Sequence, residues 1–458
     1  MYEKTAPRFP QASSDEIPQR PRRYRFSRRA AVLLFLLVFL VVGSVGGLYV
    51  GIHLSNERAA QDRVQATAIA RVQATAGVAA RAYGRFVATN GIMFGFDAQH
   101  TGANPYEQVL SPATVAELTK KWTFHIADDL DDSDSSPAVA NGVVYFGAWD
   151  KDLHALDAAS GKQKWAFHTG DSINSSPAVV NGVVYFGSLD HRVYALDAAS
   201  GALKWSYQTG DPIDSSPTVV NGVVYIGSAD KNLYALDAAT GKKKWAFHVE
   251  NGIFTGKYAP LAVDNGVSAS PAVANGVVYI ASLGATVYAL DAMSGKEKWS
   301  FQIDDNVDAS PVIANGVVYI SSLNHVVYAL NATSGTVVWS YRTEGQIESA
   351  VAVANSVVYI GSSDKNLYAL DAMSGQEKWV FHAEDHIFAS ATVANGVVYV
   401  GSADDTFYAL DAATGTKKWA FPPTGDFQSI YASAAVADGV VYVRSTDRNL
   451  YAFHIAGT

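Results

Sequence analysis

The sequence predicts an all-β, eight-bladed β-propeller of four-stranded blades, preceded by a transmembrane helix and a helical stalk. Three observations carry that prediction. Trp122, Trp165, Trp205, Trp245, Trp299, Trp339, Trp379 and Trp419 are spaced by 43, 40, 40, 54, 40, 40 and 40 residues. Each interval holds four short β-branched or aromatic runs bounded by turn residues, the pattern of propeller blades rather than of helical solenoids. Residues 30–52, "AAVLLFLLVFLVVGSVGGLYVGI", run 23 positions without a charge, long enough to cross a bilayer as a helix.

Taken in chain order, residues 1–29 hold eight Lys/Arg and three Asp/Glu, and Arg20, Arg22, Arg23, Arg25, Arg28 and Arg29 stand just before the apolar stretch. Positive charge on that flank predicts a cytoplasmic N-terminus and an extracytoplasmic propeller, placing the chain in the cytoplasmic membrane as a single-pass protein. The apolar core exceeds that of a cleaved signal peptide, and no clear A-x-A site follows, so an uncleaved anchor is expected. Residues 53–88 are rich in Ala, Arg and Gln, favour helix and lack a strong apolar stripe. They read as a stalk of roughly 54 Å, at 1.5 Å per residue; weak self-association of the alanine-rich faces is the alternative. Residues 89–120 form a lead-in to the propeller at 121–458.

Within a unit such as "SSPTVVNGVVYIGSADKNLYALDAATGKKKWAFH", Asn221-Gly222 supplies the two positive φ angles of a type I′ hairpin between the first two strands. The third and fourth strands meet at Thr240-Gly241, where Asp237 and the Thr240 hydroxyl can satisfy backbone donors. Lysines beside each tryptophan protect the outer edge from pairing with another sheet. The ends of the array complement one another. Trp122 has no turn motif before it, and the last unit stops at "NLYAFHIAGT" with three strands. A strand over 121–126 is therefore expected to complete the last blade and close the ring.

Composition limits the function. From residue 121 onward there are 20 Lys/Arg against 35 Asp/Glu, an acidic body that should repel nucleic acid. The chain has no cysteine, which excludes disulfides, thiolate metal sites and a cysteine nucleophile. No G-x-S-x-G, H-E-x-x-H or phosphate-loop pattern occurs, and the sequence carries no signal for an oligomeric state.

The motif A-x-D-x-x-[ST]-G-x-x-x-W begins at Ala155, Ala195, Ala235, Ala289, Ala329, Ala369 and Ala409, with Asn331 in place of aspartate in the fifth copy. It resembles the tryptophan-docking motif of the pyrroloquinoline quinone (PQQ) type repeat, and "FGFDAQHTGANPYE" at 94–107 resembles the lead-in of such proteins. The resemblance implies the propeller fold. It covers both PQQ-dependent dehydrogenases and proteins that bind no quinone, among them an outer-membrane assembly lipoprotein. For the dehydrogenases it implies a calcium held by Glu, Asn and Asp, a catalytic Asp, an Arg or Lys near the quinone and a tryptophan stacked on it.

Sites must break repeat symmetry, so departures from the consensus are the candidates. Trp149 is the one tryptophan off the docking position and could stack on a planar ligand. Arg444 stands where other units have Gly187, Gly227 or Gly401 and could meet an anion. The fourth interval carries about 14 extra residues, including Lys257 and Tyr258. Carboxylates gather before the first strand of several units: Asp128, Asp129, Asp131, Asp132, Asp134, Asp211, Asp214, Asp304, Asp305, Asp308, Glu384 and Asp385. They read as an acidic mouth rather than a discrete metal site, since "DDLDDSD" lacks the spacing of a calcium loop. His125, His168, His248 and His382 each follow a docking tryptophan by three residues and belong to different blades.

The expected function is therefore non-catalytic: a binding or scaffold module for protein or envelope ligands at the propeller face, with no catalytic residues and no cofactor or metal. The alternative is a PQQ- and calcium-dependent alcohol or sugar dehydrogenase.

Overall fold

The computed structural model describes residues 85–86, 91–127, 135–249, 266–422 and 429–456. The predicted tail, membrane helix and stalk up to residue 84, the acidic run 128–134 and the insertion through residue 265 lie outside the described residues. Among the described residues no helix is long and apolar enough to cross a membrane.

Among the described residues eight sheets of four antiparallel strands follow one another as blades, one of them carrying a fifth, parallel strand. Blade 3 shows the plan: strands Thr218–Val220, Val223–Gly227, Asn232–Asp237 and Lys243–His248 pair in sequence order. Asn221 and Gly222 take φ of 50° and 73° between the first two, the primed turn that matches strand twist. The outermost pairing skips a residue, so Ala235 faces Trp245 but Leu236 faces Lys243. This bulge recurs in all eight blades and spoils the outer edge as a template for further pairing.

Adjacent blades are joined by the docking residues. The Trp165 indole Nε1 and the Tyr145 hydroxyl both donate to the Ala198 carbonyl of the next blade, at 3.2 and 3.0 Å. The ring then lies over the following turn glycine. A Cβ added at Gly201 would come within 2.8 Å of the Trp165 ring, and Gly201 has φ 72°, so this position demands glycine for both space and conformation. Burial of 150–250 Å² per tryptophan is worth about 4–6 kcal/mol gross at each seam.

The ring closes as a composite blade. Leu118–His125 pairs antiparallel with Asn449–Ile455, three residues earlier than the strand expected at 121–126, because Leu118 and Thr119 extend the ladder to Ile455 and His454. Trp122 then docks on the Ala158 carbonyl at 3.1 Å. At the other side of this blade, Trp419 donates to the Leu118 carbonyl instead of a turn alanine. The buried Tyr399 hydroxyl finds no hydrogen-bond partner there, since the chain enters this blade without the turn that supplies one elsewhere.

The lead-in is a plug. It crosses the ring inside the first strands, where its carbonyls accept backbone hydrogen bonds from Val179, Val273, Ile313, Val353 and Val393 of blades 2, 4, 5, 6 and 7 and its Ile92 N–H donates back to Val179. Ala103–Asn104 adds a short parallel strand to Thr392–Ala394. Asn104 Nδ2 donates to the Val436 carbonyl of blade 8 at 2.7 Å, and His100 Nε2 lies 2.9 Å from Thr218 Oγ1 of blade 3. Inward backbone groups left unpaired by the innermost strands are thus satisfied by the chain itself.

Candidate binding funnel

Each first strand is preceded by a Ser-Ser, Ala-Ser or related pair, and these serines are architectural. The backbone N–H of Ser136 donates to Ser176 Oγ at 2.9 Å, that of Ser176 to Ser216 Oγ at 2.9 Å, and the relay continues through Ser270 to Ser310. Ser433 N–H donates to Ser136 Oγ at 3.0 Å across the closure. Small hydroxyl side chains here tie neighbouring blades together around the axis.

The residue immediately before each pair points the chemistry. It is Asn174, Asp214, Ser268, Asp308, Glu348, Phe388 and Tyr431 in blades 2 to 8, and all seven line one cavity of about 970 Å³. Phe94 of the plug also lines it, so the funnel is closed below by the lead-in. One arc is polar and acidic, and the next is aromatic. Phe388 lies 5.8 Å from Tyr431 and stacks on His386 at 5.2 Å; Tyr431 is 37% exposed, high for a side chain of its size.

The acidic arc is electrostatically coupled. Protein crowding around Asp308 raises its pKa, and the Asp214 carboxylate raises it further. Glu348 is raised by the same crowding and then by Asp308, with His386 opposing. Both side chains touch solvent, but they do so inside a cavity whose walls exclude much of the water that would screen them. The field within the funnel therefore favours cations.

The two sequence candidates separate. Trp149 stands at the rim: its Nε1 donates to Asn174 Oδ1 at 2.7 Å, and Asn174 Nδ2 donates to Asp214 Oδ1 at 3.0 Å. It thus belongs to the acidic arc. Arg444 does not open on the funnel. It is 2% exposed, donates from Nη1 to the Gly147 carbonyl at 2.7 Å and lies over the Phe146 ring at 5.4 Å. The reason is volume. At Gly147, Gly187 and Gly401 an added Cβ would strike Ile173, Ile213 or Ile430 at 2.2–2.3 Å, whereas position 444 accommodates a whole buried arginine side chain. Of the carboxylates named from the sequence, Asp214 and Asp308 line the funnel; Asp128 through Asp134, and the insertion residues Lys257 and Tyr258, lie outside the described residues. His125, His168, His248 and His382 each bond within their own blade.

Asn174, Glu348, Phe388 and Tyr431 were not singled out from sequence. The available signal was a single position that in blades 2 to 8 varies among Asp, Asn, Ser, Glu, Phe and Tyr while the residue before it stays Ile or Val and the one after it Ser or Ala.

The donor set can be tested against the quinone and calcium of the dehydrogenases. Asn174, Asp214, Asp308 and Glu348 supply oxygen ligands of the kind calcium takes. The cationic side chain expected beside an anionic quinone is not there: among the described residues no Lys or Arg lines the funnel. The described lining residues fit a cation, and none of them carries the positive charge that would pair with an anionic quinone.

A closed ring of eight tryptophan-docked blades with a plugged centre defines a propeller of the PQQ-repeat class. The family model for outer membrane protein assembly factor BamB matches residues 150–262, 259–379 and 324–457, so the chain belongs to that family. A second model, for the β-propeller domain of glucose, ethanol and alcohol dehydrogenases, matches residues 93–175. Similar solved structures come from both branches. A quinohemoprotein alcohol dehydrogenase from Pseudomonas putida HK5 is 19% identical, with 85% of this chain and 82% of that one covered at a TM-score of 0.68. The corresponding enzyme of Comamonas testosteroni is 18% identical, covering 84% of each chain at 0.68. BamB from Moraxella catarrhalis is 17% identical, covering 74% and 99% at 0.60. At these identities the likeness is one of fold. No curated protein matches the sequence.

Proposed function

We propose that the protein is a non-catalytic binding module, tethered to the cytoplasmic membrane through residues 30–52, that holds a protein or envelope ligand at its extracytoplasmic propeller face. One observation carries this reading: the funnel joins an acidic arc, Asn174 to Glu348, to the aromatic pair Phe388 and Tyr431. That combination suits a lysine or arginine side chain, whose charge meets the carboxylates while its stem or guanidinium lies against the rings. Membership of a family described by an assembly factor agrees with a protein partner.

The second reading is a PQQ- and calcium-dependent dehydrogenase. It is favoured by the Trp149–Asn174–Asp214 row beside Asp308 and Glu348 and opposed by the lack of a Lys or Arg among the described residues that line the funnel. Calorimetric titration of the full-length chain in detergent separates the two, using a lysine-rich peptide and, separately, PQQ with and without calcium. The binding reading expects salt-sensitive peptide binding that weakens at least tenfold in D308N/E348Q, with no heat from PQQ. Calcium-dependent PQQ binding at micromolar affinity would replace it with the dehydrogenase, and silence from every probe would refute the funnel as the ligand site.

A further inference from the structure

Blade 1 departs from the repeat at three positions that the structure brings together. Where the other seven blades have tyrosine, from Tyr194 to Tyr451, blade 1 has His154. Where they have Arg192, Asn232, Thr286, Val326, Asn366, Thr406 and Asn449, it has Asp152, an acid found at this place in no other blade. On the outer strand Gln163 is likewise unmatched among its equivalents, which include Leu203, Lys243 and Glu297.

We propose that Asp150, Asp152 and His154, with His168 at the mouth, form a binding site for a divalent transition-metal ion of the zinc type. The ligand atoms of the first three all lie within 4.8 Å of one another. Ligands bonded to a zinc ion at about 2.0–2.2 Å are themselves about 3–4.5 Å apart, so little movement is needed. His154 Nε2 faces Asp150 Oδ2 at 2.9 Å, while its Nδ1 lies 3.4 Å from Gln163 Oε1. A proton held on Nδ1 by that amide leaves the Nε2 lone pair for the metal, the usual role of an outer partner of a ligating histidine. The imidazole is fixed by stacking on Phe146 at 5.0 Å and by the edge contact of Phe124 at 5.5 Å.

His168 Nδ1 lies 2.8 Å from Asp152 Oδ1 and is 70% exposed, giving an ion both an entry path and a fourth donor. Two imidazoles with two carboxylates select a transition metal over calcium, which takes oxygen ligands. In blades 2, 3, 6, 7 and 8 the equivalent contact is a plain latch, as where the Tyr234 hydroxyl donates to Asp230 at 2.6 Å. A latch accounts for His154 against Asp150. The repeat's own contact accounts for Asp152 against His168, as Asn232 holds His248 at 3.2 Å; in blade 1 that contact brings a second carboxylate to within 4.8 Å of the Asp150 and His154 ligand atoms.

The test is zinc titration of the chelator-treated full-length chain in detergent, followed by calorimetry and, with cobalt(II) in place of zinc, by visible absorption. A single site of micromolar or tighter affinity is expected. H154Y and D152N restore residues that the repeat itself uses, so circular dichroism should remain native while zinc affinity falls at least tenfold. D308N/E348Q should leave zinc binding unchanged, which separates this site from the funnel. Zinc binding that is absent from the parent chain, or that survives in H154Y, would overturn the proposal.

Discussion

Removing the Trp299 indole should destabilise the ring, and the structure says how that loss should couple to a change in the next blade. Trp299 Nε1 donates to the Ala332 carbonyl at 3.0 Å, and Tyr279 lies 5.9 Å from the ring. Truncating a docked aromatic of this kind costs about 3–5 kcal/mol. On the facing turn, a Cβ at Gly335 would lie 2.7 Å from the Trp299 ring, and Gly335 has φ 71°. Gly335→Ala alone should therefore lose about 1–2 kcal/mol from the left-handed backbone and a further 1–3 kcal/mol or so from the collision. In the Trp299→Ala background the collision vanishes and only the backbone part remains. The double variant should thus be more stable than the sum of the single losses predicts, by about 1–3 kcal/mol. Guanidinium unfolding of the four chains, followed by far-ultraviolet circular dichroism, measures this coupling. Losses that add to within about 0.5 kcal/mol would refute the claim that the glycine is there to receive the indole.

Three further outcomes follow from particular contacts. His100 is buried in the plug, and desolvation lowers its pKa from 6.5 to about 3. A depressed folded-state value means its contribution is full above pH 6.5 and is lost as pH falls towards 3, because the unfolded chain takes up the proton first; the loss has an upper bound of about 5 kcal/mol. A stability–pH curve for His100→Gln that falls as steeply as the parent's over this window would exclude His100 as the cause. Arg444→Gly should lose about 1–3 kcal/mol as the Gly147 carbonyl loses its donor and the seam is left underfilled, with peptide binding in the funnel unchanged; weakened binding would place Arg444 in the site after all. Blade 5 lacks the ion pair that Lys298–Asp291 and Lys378–Asp371 make in its neighbours, at 3.4 and 3.5 Å, since Asn331 and Val338 replace both partners. Restoring them as Asn331→Asp/Val338→Lys should change stability by under about 1 kcal/mol but reduce self-association at high concentration, by charging an edge where Val337 and Val338 are 47% and 50% exposed. Unchanged sedimentation behaviour would dismiss that edge as an association surface.

The same substitution shows why some of the site was legible and some was not. Asn331 stands out in the sequence as a broken motif, but its meaning needs Val338, seven residues on, whose lysine equivalents reach back across the turn. Trp149 stood out because tryptophan is rare off the docking position, and it does stand beside the funnel. Arg444 stood out equally, yet its direction is set by the Gly147 carbonyl and the Phe146 ring, which reach it only where blades 8 and 1 meet. Glu348 and Tyr431 did not stand out, because a polar or aromatic residue in a loop is ordinary until its neighbours around the ring are known.

The blade, the number of blades and the seam are all readable from the amino-acid pattern alone. These rest on local rules, namely strand alternation, Asn-Gly turns, a glycine with positive φ and a tryptophan at fixed spacing, each decided within about 40 residues. Which residues act together emerges only when the blades assemble. Ring closure gathers Asn174, Asp214, Asp308 and Glu348 from successive turns of the repeat into one arc, where low screening couples their charges. It turns the lead-in from a connecting segment into a plug with Phe94 as the funnel floor. Strand pairing sets Asp152 beside His168, sixteen residues apart, and leaves His154 facing Asp150. Proximity of this kind is a property of the closed ring and its ladders, and no single stretch of chain contains it.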